Sequence, residues 1–320
     1  MSRIRRPIAC LALAAGLAAA AAHAQPVPAQ FVHDQVWLVP KVDGREIRFF
    51  TDTGGGFNAI ARETVDRLGL ATESVEADGR TMALAPFPDF DEGQGLPVAP
   101  KHFMQGRLAV VGANEFLAKG DGFLGGRWFA DGVWAFDYPA GTLARLETYT
   151  GPGTPVPLGF QTNAAGQRTM HFPSMDITVD GEGLAVLLDT GATATLSETS
   201  GPVFGLAPGT AVGTSFIERE VFERWVADHP DWRVVEGGDR IGDKALRLIE
   251  VPAVTIAGHT VGPVWFAERP PGAFQKYMAS MMDRPTWGAI GGSGLKYFRM
   301  VIDYPAAKAW FAPAAAPAER

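Results

Sequence analysis

The sequence predicts a mainly β protein made of two duplicated, β-rich lobes with a few short helices. Three observations support this fold class. The 320 residues include 38 Gly and 24 Pro, about a fifth of the chain, which favours many turns and short strands. The apolar share of 47% and the charged share of 20% are typical of a globular protein. Segments of the first half of the chain recur in the second half in the same order.

The first 24 residues have the three parts of a secretory signal peptide. Three arginines lie among the first six residues, an apolar run extends from Ile8 to Ala22, and Ala22-His23-Ala24 is a small-x-small cleavage site. The alternative is a membrane anchor, but the run is shorter than the roughly 20 residues that a span needs. We therefore expect a mature protein that begins near Gln25, has no membrane span and is periplasmic or secreted.

The only cysteine, Cys10, lies in this leader. The mature chain can then form no disulfide, so its core alone must stabilise it. A chain of this length is expected to divide into two lobes. We place the boundary at Thr150 to Pro157, where Gly and Pro are dense, and predict an N-terminal lobe over residues 25–150 and a C-terminal lobe over residues 151–320.

Three pairs of matching segments indicate a duplication. Val42 to Gly55 aligns without a gap to Val179 to Ala192, and in each copy an Asp-Gly turn leads into a short apolar strand that ends at Asp-Thr-Gly. Further on, Gly122-Phe123-Leu124-Gly125-Gly126 aligns to Gly288-Ala289-Ile290-Gly291-Gly292. The same shift of 166 positions aligns the Asp-Tyr-Pro at 137–139 to that at 303–305. Preserved order and chemistry make chance an inadequate explanation.

Local patterns predict individual elements. Ser215 to Glu218 has the pattern of a capping box, and Val221, Phe222, Trp225 and Val226 recur at helical spacing before His229-Pro230 ends the helix. A shorter helix is expected over Arg62 to Leu68, ending at Gly69. Strands are expected at Gln35 to Val39, Met175 to Val179 and Val251 to Ile256.

Asp52 and Asp189 are the candidate catalytic residues. Each follows an apolar strand and precedes Thr and Gly, a tight turn in which Gly brings backbone N–H groups close and Thr offers a hydroxyl. One Asp-Thr-Gly is common as a surface loop, but two on duplicated lobes can face each other across a pseudo-twofold axis. Carboxylates that close cannot both ionise, so they would hold one proton and one water, one acting as acid and the other as base.

These paired motifs resemble those of the aspartic peptidases, specifically the bacterial retropepsin-like group, in a pepsin-like arrangement with both lobes on one chain. The resemblance covers about Val36 to Phe311 and is closest over Gly288 to Trp310. It implies a bilobal aspartic-protease fold that binds a peptide or an unfolded protein in the cleft between the lobes and hydrolyses it.

The resemblance also implies the site residues. They are the catalytic pair Asp52 and Asp189, the supporting turn residues Thr53, Gly54, Thr190 and Gly191, and Gly125 and Gly291, which would pack beside the turns. Such a site requires no cofactor, no metal and no second copy of the chain.

The sequence departs from the family pattern in several places. Gly55-Gly56 follows the first motif, where pepsin-like members have Ser or Thr, while Ala192-Thr193 follows the second. No Tyr-x-Thr-Gly flap motif is present, and the hairpin around Asp78-Gly79 within Val75 to Leu84 is the candidate flap, with Ala85 to Lys101 as the alternative. About ten residues separate Gln25 from the first strand, so we expect no long inhibitory prosegment.

Two other function classes compete with a peptidase. A catalytically inactive protein of the same fold would bind an extended peptide in the cleft, and Gly55-Gly56 favours this alternative. A structural or glycan-binding β protein would use both Asp-Thr-Gly turns as plain loops, which leaves the second pair of matched segments unexplained.

Other chemistries are disfavoured. The net charge of −7, without a Lys/Arg stripe, disfavours nucleic-acid binding. The six His lack the spacing of metal ligands. Gly54-Gly55-Gly56 is not followed by the Lys-Ser/Thr of a phosphate-binding loop, and Gly292-Ser293-Gly294 lacks the spacing of a nucleophile elbow.

Overall fold

The computed structural model describes residues 24–77, 79–97, 104–112 and 120–314. The predicted signal peptide lies outside these residues except for Ala24. The prediction of a mainly β protein with a few short helices is confirmed.

The strands of the first half are β1 (Ala24–Val27), β2 (Ala29–Val32), β3 (Gln35–Leu38), β4 (Lys41–Val42), β5 (Arg45–Glu46), β6 (Phe49–Asp52), β7 (Asn58–Ala61), β8 (Glu73–Ala77), β9 (Arg80–Ala85), β10 (Leu108–Val111), β11 (Gly122–Gly125), β12 (Val133–Asp137) and β13 (Thr142–Leu146). Those of the second half are β14 (Thr154–Pro157), β15 (Ser174–Val179), β16 (Glu182–Leu188), β17 (Thr193–Thr195), β18 (Ala211–Gly213), β19 (Ser215–Glu218), β20 (Arg233–Ile241), β21 (Lys244–Val251), β22 (Val254–Ile256), β23 (His259–Val261), β24 (Val264–Arg269), β25 (Gly288–Ile290), β26 (Phe298–Asp303) and β27 (Lys308–Pro313).

The α-helices are α1 (Arg62–Leu68), α2 (Gly126–Phe129), α3 (Gly201–Phe204), α4 (Arg219–Asp228) and α5 (Gly292–Leu295). Short helical turns lie at Met104–Gly106, Ala273–Tyr277 and Met278–Met281. In the part of the chain described, no helix is long and apolar enough to cross a membrane.

Each half of the chain forms a large sheet, and the two sheets have the same order of strand neighbours over seven strands, from β8 to β3 and from β20 to β15. The first sheet has the order β8-β9-β10-β7-β11-β6-β3-β2, and the second has β20-β21-β24-β19-β25-β16-β15-β22-β23. Strand directions also correspond, since β6 is parallel to β11 as β16 is to β25, and β7 is parallel to β10 as β19 is to β24. The repeat in the sequence is therefore a repeat in topology.

A third, central sheet joins the two halves in the order β1-β13-β12-β26-β27-β14. At its middle, β12 pairs antiparallel with β26, and Ala135 lies opposite Val301. These two residues are equivalent under the shift of 166 positions. On either side of them, Val133 pairs with Asp303 and Asp137 pairs with Arg299. The same shift converts each of these two pairs into the other. A pseudo-twofold axis therefore passes between Ala135 and Val301.

One hydrophobic cluster runs through all three sheets. Phe49 of the first sheet, Phe136 and Ile302 of the central sheet and Val186 of the second sheet all belong to it, and none has exposed surface. Burying a side chain of this size contributes about 1.5–3 kcal/mol. The two halves of the duplication are thus joined by a shared core as well as by backbone pairing.

Several local predictions are confirmed. Helix α1 covers Arg62–Leu68 and ends at Gly69 in the left-handed conformation. Helix α4 ends at Asp228, before His229-Pro230, and buries Val221, Phe222 and Trp225. The strands expected near Gln35 and Met175 are β3 and β15, each within one residue of the predicted bounds.

Two segments differ from the prediction. The run Val251 to Ile256 is not one strand, because it joins the end of β21 to β22 across Pro252-Ala253. The last four residues of the predicted linker, Thr154–Pro157, form β14, which pairs with β27 at the edge of the central sheet. Proline is compatible with such an edge strand because it lacks an N–H donor, and the open side of an edge strand needs none.

The predicted capping box at Ser215 is wrong. Ser215 to Glu218 form strand β19, and the helix begins at Arg219 without a side-chain cap. Pairing with β24 and β25 on both sides fixes this segment as a strand, so tertiary contacts override the local pattern. The buried Glu218 carboxylate instead accepts backbone N–H groups of Gly272, at 3.0 Å, and of Gln275, at 2.7 Å.

Candidate active site

The two Asp-Thr-Gly turns occupy equivalent places in the two sheets. Asp52 is the last residue of β6, and Asp189 directly follows β16. Both strands are apolar and largely buried. Strand β6 runs parallel to β11, which leads into α2, and β16 runs parallel to β25, which leads into α5. Backbone hydrogen bonds close the turns, from Gly55 N–H to Asp52 O at 3.0 Å and from Ala192 N–H to Asp189 O at 3.4 Å.

The threonines of the two turns bind each other across the pseudo-twofold axis. The N–H of Thr53 donates to Oγ1 of Thr190 at 3.2 Å, and the N–H of Thr190 donates to Oγ1 of Thr53 at 2.9 Å. The hydroxyl of Thr53 also donates to Leu188 O at 2.8 Å. Both threonines have no exposed surface. These bonds hold the turns face to face, so neither is an exposed surface loop.

The glycine of each turn lies against the aspartate of the other turn. A methyl group built on Gly54 would lie 2.6 Å from the carboxyl carbon of Asp189. One built on Gly191 would lie 2.5 Å from Oδ1 of Asp52. Both distances are shorter than van der Waals contact, so glycine at these two positions permits the close approach of the carboxyls.

The two carboxyls are in hydrogen-bonding contact. Burial raises the pKa of both groups, and the nearby charge of Asp189 raises the pKa of Asp52 further. The hydrogen bond between the two carboxyls raises the pKa of Asp52 and lowers that of Asp189, so the two titrations are coupled. Gly191 N–H donates to Oδ1 of Asp189 at 2.8 Å, which also lowers the pKa of Asp189. Two carboxyls coupled in this way titrate as a pair.

The structure brings the downstream glycines beside the turns. Gly125 lies opposite Asp52 in the parallel pairing of β11 with β6. In the second half, Ile290 O accepts the N–H of Asp189 at 3.0 Å, and Gly291 follows directly. A methyl group on Gly125 would lie 2.5 Å from Phe57 O, and one on Gly291 would lie 2.7 Å from the Cβ of Ala192. Only glycine fits in these two places.

Sequence reasoning missed a pair of residues that hold these glycines. Asn58 Oδ1 accepts the N–H of Gly125 at 3.0 Å, and Ser215 Oγ accepts that of Gly291 at 3.1 Å. Asn58 and Ser215 are the first residues of the equivalent strands β7 and β19, and both are buried. The ribbon β17–β18 precedes only β19, so a gap is needed to align them. Ser215 therefore positions a glycine of the site and caps no helix.

The flap candidates are only partly within the described residues. Strands β8 and β9 form an antiparallel hairpin at the edge of the first sheet, with Gly79 in its turn, but Asp78 lies outside the described residues. The same holds for residues 98–101 of the alternative segment. Within the described ranges, no cluster of three His, Cys, Asp or Glu residues could hold a metal ion. A cavity of about 550 Å³ lies beside Asp131 and Arg145, and neither Asp52 nor Asp189 lines it.

No family model matches this chain, and no curated protein matches it. What the site can do chemically is therefore inferred from its own residues, two coupled carboxyls on equivalent turns that are bound to each other.

We predict that an added methyl group at the downstream glycines disrupts the fold. Gly125→Ala and Gly291→Ala each overlap backbone or Cβ atoms and should lower the free energy of unfolding by about 1–3 kcal/mol or more. Gly183→Ala is the matched control, because a methyl group there meets no atom within 4 Å. Urea unfolding measures all three, and equal stability of Gly291→Ala and Gly183→Ala would contradict the packing described.

We also predict that the aspartate pair costs stability as pH rises. Because folding raises the pKa of both groups, their contribution is fully present below the unfolded-state pKa of about 3.9 and is lost as pH rises through the folded-state values. Asp52→Asn should therefore have a higher Tm than wild type at pH 7, by about 2–4 °C for each 1 kcal/mol gained in the free energy of unfolding. Near pH 3 the two Tm values should be equal.

Thermal unfolding at the two pH values measures this effect. Asp66→Asn, on the exposed side of α1, is the control and should leave the difference between the two pH values as in wild type. A Tm gain for Asp52→Asn that is the same at pH 3 and pH 7 would show that the pair carries no titration penalty.

Proposed function

We propose that this protein is an aspartic-type endopeptidase that hydrolyses peptide bonds with a water activated between Asp52 and Asp189. The observation that carries the proposal is the contact between the two carboxyls, each lying against the glycine of the opposite turn. A proton-sharing carboxyl pair has both an acid and a base available at once, which hydrolysis of an amide requires.

The proposed fold is the bilobal aspartic-protease fold, with the cleft between an N-terminal and a C-terminal lobe. It is supported by the matching order of the two large sheets and by the central sheet that joins them around a pseudo-twofold axis. The resemblance of the Asp-Thr-Gly and Gly-Phe-Leu-Gly segments to the retropepsin-like peptidases points the same way. A peptide or an unfolded protein is the proposed substrate, since an extended chain can enter an inter-lobe cleft.

The proposed reaction uses the shared proton twice. The water oxygen bonds to the peptide carbonyl carbon while one aspartate takes a proton from the water. The other aspartate gives its proton to the carbonyl oxygen. In the second step the C–N bond breaks, the first aspartate protonates the amine nitrogen, and a hydroxyl of the intermediate returns a proton to the second aspartate. Both carboxyls end as they began. Thr53 and Thr190 keep the turns in place and do not react.

A second candidate function is peptide binding without cleavage. It is favoured by Gly55, which offers Asp52 no hydroxyl partner, and by Oδ1 of Asp52, which is buried and has no hydrogen-bond partner among the described residues. A structural role with both turns as plain loops is disfavoured, because the two turns are buried against each other through Thr53 and Thr190.

We predict that either aspartate is indispensable for cleavage. Asp52→Asn and Asp189→Asn keep the shape of the side chain but remove a titratable partner, so each should lower cleavage of an unfolded protein by about 100-fold or more. The double variant should lose no more than either single variant, because the pair acts as one unit. Pepstatin should inhibit the wild type at acidic pH.

Asp176→Asn is the control, since Asp176 lies on β15 with its side chain exposed and paired with Arg284 at 2.9 Å. It should cleave as wild type does. Equal cleavage by wild type and both active-site variants would overturn the proposal. Binding of the unfolded protein without cleavage by the wild type would establish the second candidate function.

We further propose that the protein is exported and acts in the periplasm or outside the cell. The proposal is supported by the arginines, the apolar run and the Ala22-His23-Ala24 site of the leader. N-terminal sequencing of protein from the exported fraction should give Gln25. Protein that keeps Met1 and stays with the inner membrane would contradict it.

A further inference from the structure

The two turns are equivalent, but the groups beside the two carboxyls differ. In the first half, Gly55 faces Phe123, whereas in the second half the equivalent residues are Ala192 and Ala289. A methyl group on Gly55 would lie 2.7 Å from Cε1 of Phe123 and 3.1 Å from the carboxyl carbon of Asp52. The edge of the Phe123 ring therefore occupies the space beside Asp52 that a side chain at position 55 would fill.

The surroundings of Phe123 are apolar. The ring is 6% exposed, stacks on Phe57 at 5.3 Å between centroids and lies 6.2 Å from Phe50. Oδ1 of Asp52 lies against Gly191 of the opposite turn, is buried and accepts no hydrogen bond from any residue in the described ranges. Backbone N–H groups of Gly54 and Gly55 stabilise the ionised form of Asp52, but the phenyl ring offers no donor, so the Phe123 flank itself disfavours the charged form.

The flank of Asp189 is polar and carries a cation. The large ring of the second half comes from a different strand, Phe216 of β19, and the guanidinium of Arg269 lies 3.7 Å from its centre. Arg269 pairs with Asp239 at 2.9 Å and donates to Thr193 O, four residues after Asp189, at 3.4 Å.

The first half has no cation at the equivalent place. Arg269 is the strand partner of Glu218, and the residue in the corresponding position of the first sheet is Val111, the partner of Ala61. Asp239 offsets part of the charge of Arg269, and the remainder favours the ionised form of Asp189, whereas Val111 brings no charge to the first half.

We propose that Phe123, packed on Gly55, is a positioning residue that keeps the shared proton on Asp52 and leaves Asp189 as the base that takes a proton from the water. This inference rests on the proposed function and assigns the two roles within it. Titratable groups whose charge reaches the pair include Tyr304, towards both aspartates, Tyr138, towards Asp189, and Arg269 with its ion-pair partner Asp239, also towards Asp189. Burial raises the pKa of both tyrosines, so they stay neutral and leave Arg269 as the charge that distinguishes the aspartates.

The test uses the pH dependence of kcat/KM on a peptide substrate. In this assignment the alkaline limb reports loss of the proton from Asp52, and the acid limb reports ionisation of Asp189. Phe123→Ala admits water to Asp52 and should move the alkaline limb to lower pH, with kcat/KM about five- to tenfold below wild type on that limb, while the acid limb stays in place. Phe123→Leu keeps an apolar group there and should keep the alkaline limb where wild type has it.

A second variant guards against a folding defect. Gly55→Ala combined with Phe123→Ala copies the Ala192 and Ala289 pairing of the second half and fills part of the space. It should show the same displaced alkaline limb. A uniform loss of kcat/KM at all pH values in both variants, or an equal displacement in Phe123→Leu, would overturn the inference.

Carboxyl ¹³C NMR of aspartate-labelled protein separates this inference from the proposed function. With Asp52→Asn and Asp189→Asn for assignment, the upper titration step of wild type should belong mainly to Asp52 and should move down in Phe123→Ala. A wild type without cleavage but with this titration would refute the peptidase function and keep the polarised pair. An upper step that belongs to Asp189, or one that Phe123→Ala does not move, would refute the inference whatever the activity.

Discussion

The two hydrogen bonds exchanged by Thr53 and Thr190 constrain the rest of the site. Each N–H finds its acceptor in the other half of the chain, so neither buried turn is satisfied unless both sheets are correctly placed. The bonds also leave no room between the turns, which is why Gly54 and Gly191 are needed beside the opposite carboxyls. Once the threonines are bound, Asp52 and Asp189 lie close together; burial raises the pKa of both, and the charge of Asp189 raises that of Asp52 further.

The central sheet fixes the position of the two turns relative to each other. Strands β12 and β26 pair symmetrically around Ala135 and Val301, as the two turns do through Thr53 and Thr190. The hydrophobic cluster continues through this sheet from one half to the other, and a relative shift of the halves would cost both backbone pairing and core packing. The carboxyl pair is therefore held by a large part of the molecule rather than by its own turns alone.

How much could be predicted depended on whether a feature is continuous in sequence. The turns, the downstream glycines and the helices α1 and α4 lie in short runs with a clear pattern, and their positions could be predicted. Asn58 and Ser215 could not be paired, because the ribbon β17–β18 separates only one of them from its turn, and sheet pairing made a strand of the apparent capping box. The contact of Phe123 with Gly55 joins residues far apart in the chain, and only the fold brings them together.

The exchange of Gly55 and Phe123 for Ala192 and Ala289 also bears on why a single chain carries both copies. In a homodimer of identical subunits, every substitution appears on both sides of the twofold axis, so the two aspartates would have identical surroundings in the absence of substrate. A fused duplicate is free of that rule, since each copy can diverge alone. The ring beside one carboxyl and the guanidinium near the other make the site asymmetric even without a ligand, because the two copies differ in sequence.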